Sequence, residues 1–156
     1  MAPLVFITGS TGFIGNVTLK KVLEAGYKVR AAVRKETQFV EIKQRYAKYA
    51  DVLDFTVVPD ITASGAYAGK LDGVDAIVHL ASPLAKGIDK SQVIPPAING
   101  TLEILREAKK VPSVKKVVIT ASIATFTPLK TALPNGAVIK GMTFSSCCCH
   151  LWRWAY

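Results

Sequence analysis

Three glycines at intervals of three residues, Gly9, Gly12 and Gly15, follow an apolar run in the opening stretch LVFITGSTGFIG, residues 4–15. Where a strand turns into a helix, each of these positions has a chemical use. Gly9 permits the tight exit from the strand, Gly12 lets the backbone approach a pyrophosphate, and Gly15 allows the helix to lie against the sheet. Anionic oxygens then sit at the helix N-terminus, where unpaired N–H groups and the helix dipole favour negative charge. The chemistry predicted is dinucleotide binding, on condition that a strand–helix–strand unit surrounds the loop. A second feature bears on which dinucleotide. The stretch YKVRAAVR, residues 27–34, ends at Arg34 and Lys35 with no acid before Glu36. A carboxylate there would bind the free ribose hydroxyls of NAD, whereas an arginine pairs with the 2′-phosphate of NADP.

Other chemistry-bearing residues carry less. Cys147, Cys148 and Cys149 are consecutive and precede His150. Neighbouring side chains point apart instead of converging, so no metal site is expected. Asn99-Gly100-Thr101 fits a glycosylation sequon, but MAPLVFITGSTG has no basic start and its apolar run breaks after four residues. No secretory signal is read there, a cytosolic location is expected, and the sequon is taken as chance.

The elements that must position these residues follow from periodicity. Residues 3–8 form a short buried strand, and Ile14, Val17, Val22 and Ala25 then recur at helical spacing before Gly26. Residues 27–34 make a second strand. Phe39, Ile42, Tyr46 and Tyr49 mark one face of a second helix. LDFTVV (53–58), DAIVHLA (75–81) and KKVVITAS (115–122) read as strands three to five. Between the last two, Pro95-Pro96 introduces a helix with Ile98, Leu102 and Leu105 on one face. Helices alternating with continuous apolar strands mean parallel strands covered on both faces. The predicted fold is α/β, a Rossmann-type doubly wound parallel sheet, incomplete at its C-terminal side.

Composition sets the remaining bounds. Half of the 156 residues are apolar and a fifth are charged, the balance of a soluble globular domain. No apolar run approaches the roughly 20 residues of a membrane span, so no membrane partner is expected. The net charge of +9 is uneven: residues 1–107 hold 13 Lys and Arg against 11 Asp and Glu, while the last 49 hold seven bases and no acid. No basic run alternates with aromatics as a nucleic-acid stacking groove requires, so nucleic acid is not an expected partner. The oligomeric state is not legible.

Several stretches together resemble the extended short-chain dehydrogenase/reductase family (epimerase/dehydratase-like), and more narrowly its dihydroflavonol reductases and fungal carbonyl reductases. They are TGSTGFIG (8–15), VRAAVR (29–34), VPDIT (58–62), GVDAIVHLASP (73–83), AINGTLEIL (97–105) and KKVVITAS (115–122). The resemblance implies an NADP(H)-dependent oxidoreductase acting on a small-molecule ketone, aldehyde or secondary alcohol. It implies that Thr11, Gly12, Phe13 and Ile14 line the pyrophosphate, with Gly9 and Gly15 shaping the turn. Arg34 would meet the 2′-phosphate, Asp60 and Ile61 would border the adenine, and Leu80, Ala81 and Ser82 would lie along the nicotinamide side. Asn99 matches an asparagine that shapes the active site, and Ser122 matches the serine that hydrogen-bonds the substrate carbonyl. His79 is expected to be a packed core residue.

One departure matters. The family's proton donor is a tyrosine four residues before a lysine, and the lysine lowers the phenol's pKa. No Tyr-x-x-x-Lys occurs in this sequence. Family members are also considerably longer. The expectation is a Rossmann domain over residues 1–126 and a divergent tail over 127–156, mobile after about Gly141, in a chain truncated and catalytically incomplete by itself. A non-catalytic NADP-binding protein and a sugar-nucleotide epimerase-like fragment are the alternatives, and Arg34 counts against the second.

Overall fold

A computed structural model describes residues 2–83 and 89–122. The chain divides into two units, Met1–Ile119 and Thr120–Tyr156. The sheet belongs to the first, and only residues 120–122 of the second are described. Cys147–Cys149, His150 and the expected mobile segment 141–156 lie outside the described residues.

The elements run β1 (Leu4–Thr8), α1 (Phe13–Glu24), β2 (Lys28–Val33), α2 (Glu36–Arg45), a 3₁₀ segment (Ala47–Val52), β3 (Leu53–Val57), β4 (Ala76–His79), α3 (Lys90–Ala108) and β5 (Lys116–Ile119). The sheet order is β3-β2-β1-β4-β5 and every pairing is parallel. The order reverses direction at β1, where a doubly wound sheet opens a crevice beyond its strand ends. The continuous apolar strands are explained by two cores. Val5 and Ile7 point to one face and pack with Leu19, Leu23, Val29, Phe39 and Ile42 beneath α1 and α2. Phe6 points to the other, with Val58, Tyr67, Leu71, Val74, Ile77 and Ile104. Alternation therefore persists geometrically, but in β1 and most of β2 both alternating sets are buried, while in the edge strand β5 Lys116 and Val118 are exposed.

Helices α1 and α3 both correct the sequence reading. Helix α1 buries Gly15, Leu19 and Leu23, while Ile14 is 60% and Val17 52% exposed. The cause is steric. A Cβ on Gly15 would lie 1.9 Å from the carbonyl oxygen of Gly9, so this contact sets the helix's rotation and sends Ile14 and Val17 outward. Helix α3 starts at Lys90, not at the proline pair, with the Asp89 carboxylate accepting from the Ser91 N–H as an N-cap. Pro95 and Pro96 lie inside it. They withhold N–H donors from the carbonyls of Ser91 and Gln92, which are exposed and can bond water instead. Its buried face is Gly100, Glu103, Ile104 and Ala108, and Ile98 is 44% exposed. Helix α2 ends earlier than its apolar periodicity, because Tyr46 leaves helical geometry at φ −113°, ψ 33°. Its hydroxyl reaches the Asn16 carbonyl at 3.1 Å and the Asn16 Oδ1 at 2.9 Å, tying this corner to α1.

Candidate functional site

At the C-terminal ends of β1, β2 and β4 the structure forms a cleft of about 280 Å³. Its floor begins with the turn out of β1. Gly9 has φ +74°, a left-handed conformation that side chains disfavour, and the Gly12 N–H donates to the Gly9 carbonyl at 3.0 Å. Space at Gly9 is as restrictive as its dihedral. A Cβ there would lie 2.9 Å from the Ala81 nitrogen and 3.1 Å from the Leu80 carbonyl carbon. The glycine turn thus rests directly on the segment that follows β4. Helix α1 begins with Gly12 as N-cap, with no side-chain cap and no acid in its first turn. The first-turn N–H groups therefore keep their affinity for an anion.

The opposite rim follows β2. Arg34 is exposed, and its backbone N–H donates to Gln38 Oε1 at 3.0 Å; the Lys35 N–H donates to the same oxygen at 3.2 Å. Gln38 thus fixes the chain at the point where Arg34 emerges. Among the described residues that line the cleft, Arg34 is the only one with an ionisable side chain. An open helix N-terminus, a guanidinium and no carboxylate make an anion-attracting site.

Of the residues singled out in the sequence, Gly9, Thr11, Gly12, Arg34, Ile61, Leu80, Ala81 and Ser82 come together around the cleft. Phe13, Ile14, Gly15 and Asp60 are not among its lining. Phe13 is 91% exposed, and Gly15 is buried under the turn. Asp60 turns its carboxylate onto Thr62, accepting from the backbone N–H at 2.8 Å and the hydroxyl at 2.7 Å. Those two bonds, with a smaller contribution from the Arg34 charge, hold its pKa below the ordinary carboxylate value. Asn99 is exposed on α3, and Ser122 lies in the second unit.

Five lining residues were not singled out from the sequence: Thr8, Ala32, Val33, Gln38 and Val58. Gln38 had no capping-box signal to read, because the residue three before it is Lys35, whose ammonium cannot accept a hydrogen bond. Ala32, Val33 and Val58 are the last apolar residues of strand runs, and only the sheet order shows that those ends meet. His79 is buried as expected, 3% exposed, with its Nδ1 2.9 Å from Thr8 Oγ1. Burial pushes its pKa below the ordinary histidine value, and a hydrogen bond to the Gly100 backbone opposes that shift in part.

A parallel sheet with a glycine turn at its switch point and an anion-attracting cleft above it defines a dinucleotide-binding type of domain. Residues 5–142 match the NAD dependent epimerase/dehydratase family, and the chain belongs to it. Among curated proteins it is similar to the ketoreductase sphI of Aspergillus fumigatus, 47% identical over 138 residues, covering 88% of this chain and 40% of that protein. It is also similar to aldehyde reductase 2 of Sporidiobolus salmonicolor, 38% identical over 120 residues, covering 76% of this chain and 35% of that one. Among solved structures, the yeast methylglyoxal/isovaleraldehyde reductase Gre2 complexed with NADPH superposes with a TM-score of 0.72 at 28% identity, over 80% of this chain and 38% of that one. The chain therefore spans about 40% of the length of the relatives it matches. Among the described residues, no helix is long and apolar enough to cross a membrane.

Proposed function

We propose that this chain supplies the dinucleotide-binding part of an NADP-dependent carbonyl reductase, in the branch that includes fungal carbonyl reductases and dihydroflavonol reductases. The observation that carries the reading is the cleft at the switch point, where among the described lining residues Arg34 alone is charged and none carries a carboxylate. The cradle also fits the group sterically, because Gly9 and Gly12 bring bare backbone to the place where a pyrophosphate would lie. Gly9, Thr11, Gly12 and the first turn of α1 would hold the pyrophosphate. Arg34 would hold the 2′-phosphate, Val58 and Ile61 would flank the adenine, and Leu80, Ala81 and Ser82 would lie along the nicotinamide side. The cofactor supplies a hydride to a carbonyl carbon when bound.

Ser122 is proposed as the hydrogen-bond donor to the substrate's carbonyl oxygen, an assignment supported by the match of KKVVITAS alone. The names of the relatives, a ketoreductase and two aldehyde reductases, support a ketone, an aldehyde or the corresponding secondary alcohol as the substrate class. The domain reading of 1–126 with a separate tail stands as part of this proposal.

A specific observation favours a second reading beside it. Residues 1–156 contain no tyrosine four positions before a lysine. A transferred hydride leaves an alkoxide that needs a proton, and a positioned general acid typically contributes roughly 10²- to 10⁴-fold. The 156-residue chain is therefore proposed to bind NADPH without turning over carbonyls at ordinary enzyme rates. Mixing it with NADPH and a panel of ketones and aldehydes, and following both nicotinamide fluorescence and absorbance, tests both halves. Binding without turnover supports the reading. Turnover at enzyme rates that is lost in Ser122→Ala shows that another residue donates the proton.

A further inference from the structure

The wall formed by Leu80, Ala81 and Ser82 needs something to hold it, since it follows the last residue of β4 and carries no element of its own. What holds it is Thr8, at the end of β1, whose backbone carbonyl accepts from the Leu80 N–H at 3.3 Å and whose hydroxyl reaches further along the segment. Thr8 Oγ1 accepts from the Leu80 N–H at 3.1 Å and from the Ala81 N–H at 3.1 Å. A hydroxyl has two acceptor lone pairs and one hydrogen. With both lone pairs occupied, its hydrogen is left for the third neighbour, His79 Nδ1 at 2.9 Å. Nδ1 must then be unprotonated, and the ring's proton must reside on Nε2. The tautomer is thus assigned by the Thr8 hydroxyl at Nδ1. Thr8 is 1% and His79 3% exposed, so water is not at hand to replace either partner.

We propose that His79, fixed as its neutral Nε2–H tautomer, is a positioning residue for the dinucleotide cleft. It takes the hydrogen of Thr8, which leaves both Thr8 lone pairs aimed at the wall. The wall in turn sets the glycine turn, because Gly9 lies against Ala81 with no room for a methyl group. The inference rests on the dinucleotide reading for its purpose, but the tautomer and the hold on the wall are properties of the chain alone.

The experiment uses the 156-residue chain labelled with ¹⁵N, with His150→Ala to leave a single imidazole. In this chain Nδ1 should resonate as an unprotonated ring nitrogen and Nε2 as a protonated one. In His79→Leu the amide hydrogen of Ala81, whose acceptor is the Thr8 hydroxyl, should exchange about tenfold faster and NADPH should dissociate about tenfold more readily, the scale of one hydrogen bond. His79→Asn keeps an acceptor near the position of Nδ1 and should restore both to within about threefold. Thr8→Val, nearly isosteric, should match His79→Leu, and it keeps the test decisive should that variant not fold. A protonated Nδ1, or unchanged amide exchange in His79→Leu and Thr8→Val alike, overturns the proposal. Faster exchange in His79→Leu that Asn reverses, in a chain that binds no NADPH, would instead defeat the dinucleotide reading and leave the positioning role standing.

Discussion

On one side of the cleft the backbone is interlocked: Gly15 under Gly9, Gly9 against Ala81, and Thr8 bonded to Leu80, Ala81 and His79. On the other side Arg34 stands exposed, and its fixed part is a backbone N–H held by Gln38. The first side is built from contacts that folding itself requires, so cofactor binding and stability are joined there. The second contributes little to the fold and is free to decide which dinucleotide is accepted. A substitution on the interlocked side should damage both properties, and one on the exposed rim should alter selectivity alone.

The largest expected effect breaks the interlocked side. In Gly15→Ala the new methyl group would meet the Gly9 carbonyl oxygen at 1.9 Å, with backbone and not a flexible side chain in the way. Overpacking of this kind costs about 1–3 kcal/mol or more, and a melting temperature lower by several degrees together with lost NADPH binding is expected. Gly26→Ala offers a contrast, since among the described residues nothing lies within 4 Å of its would-be Cβ and only its φ of +84° is disfavoured. It should lower stability without affecting the cleft.

Arg34→Ala sharpens the comparison from the other rim. Loss of a charge-assisted hydrogen-bonded pair of roughly 1.5–3 kcal/mol should weaken NADPH by about 10- to 100-fold. NADH affinity and the urea midpoint should stay unchanged. A drop in the urea midpoint would show that the rim also supports the fold.

Acidity should act through the interlocked side. The folded pKa of His79 lies below its ordinary value of 6.5 because burial disfavours the charged ring. The unfolded chain therefore binds a proton that the folded chain refuses. The associated stability is complete above about pH 6.5 and is lost as pH falls from there toward the folded pKa. Asp60, Asp89 and Glu103, whose folded pKa values are lowered by hydrogen bonds, are stabilising above their ordinary values of 3.8, 3.8 and 4.5. Their loss comes in only at lower pH. Melting temperature measured between about pH 8 and 5 should decline below neutrality, and His79→Asn should flatten that decline.

The smallest effect is expected away from both rims. Tyr67 is fully buried, edge-on to Phe6 with ring centroids 6.0 Å apart, and its hydroxyl has no hydrogen-bond partner among the described residues. Burial pushes its pKa well up, with the Asp60 charge adding to the shift. Tyr67→Phe removes a desolvated hydroxyl and should be neutral or stabilising by up to about 1 kcal/mol in urea unfolding. Clear destabilisation would mean that the hydroxyl is bonded in solution.

Much of the fold was legible because it rests on local signals. Continuous apolar strands separated by helical periods gave a parallel doubly wound sheet, and the glycine triplet marked its first crossover. Helix orientation was less legible. Ile14 and Val17 are as apolar as Leu19 and Leu23, and the contact between Gly15 and Gly9 decides which set is buried. The same holds for α3, where Gly100 fits beside Pro83, its would-be Cβ 3.1 Å from Pro83 Cδ, and Ile98 faces outward. At the site, Arg34 and the glycines could be found from type and spacing. Thr8 and His79 could not, since 71 residues separate them and only the pairing of β1 with β4 brings them together.

The most direct test of the account is calorimetric titration of the 156-residue chain with NADPH and with NADH, repeated on Arg34→Ala. The account predicts NADPH binding at least about tenfold tighter than NADH, with that margin abolished in the variant. Equal affinity for the two cofactors in the unsubstituted chain, or a margin that survives removal of Arg34, would contradict it.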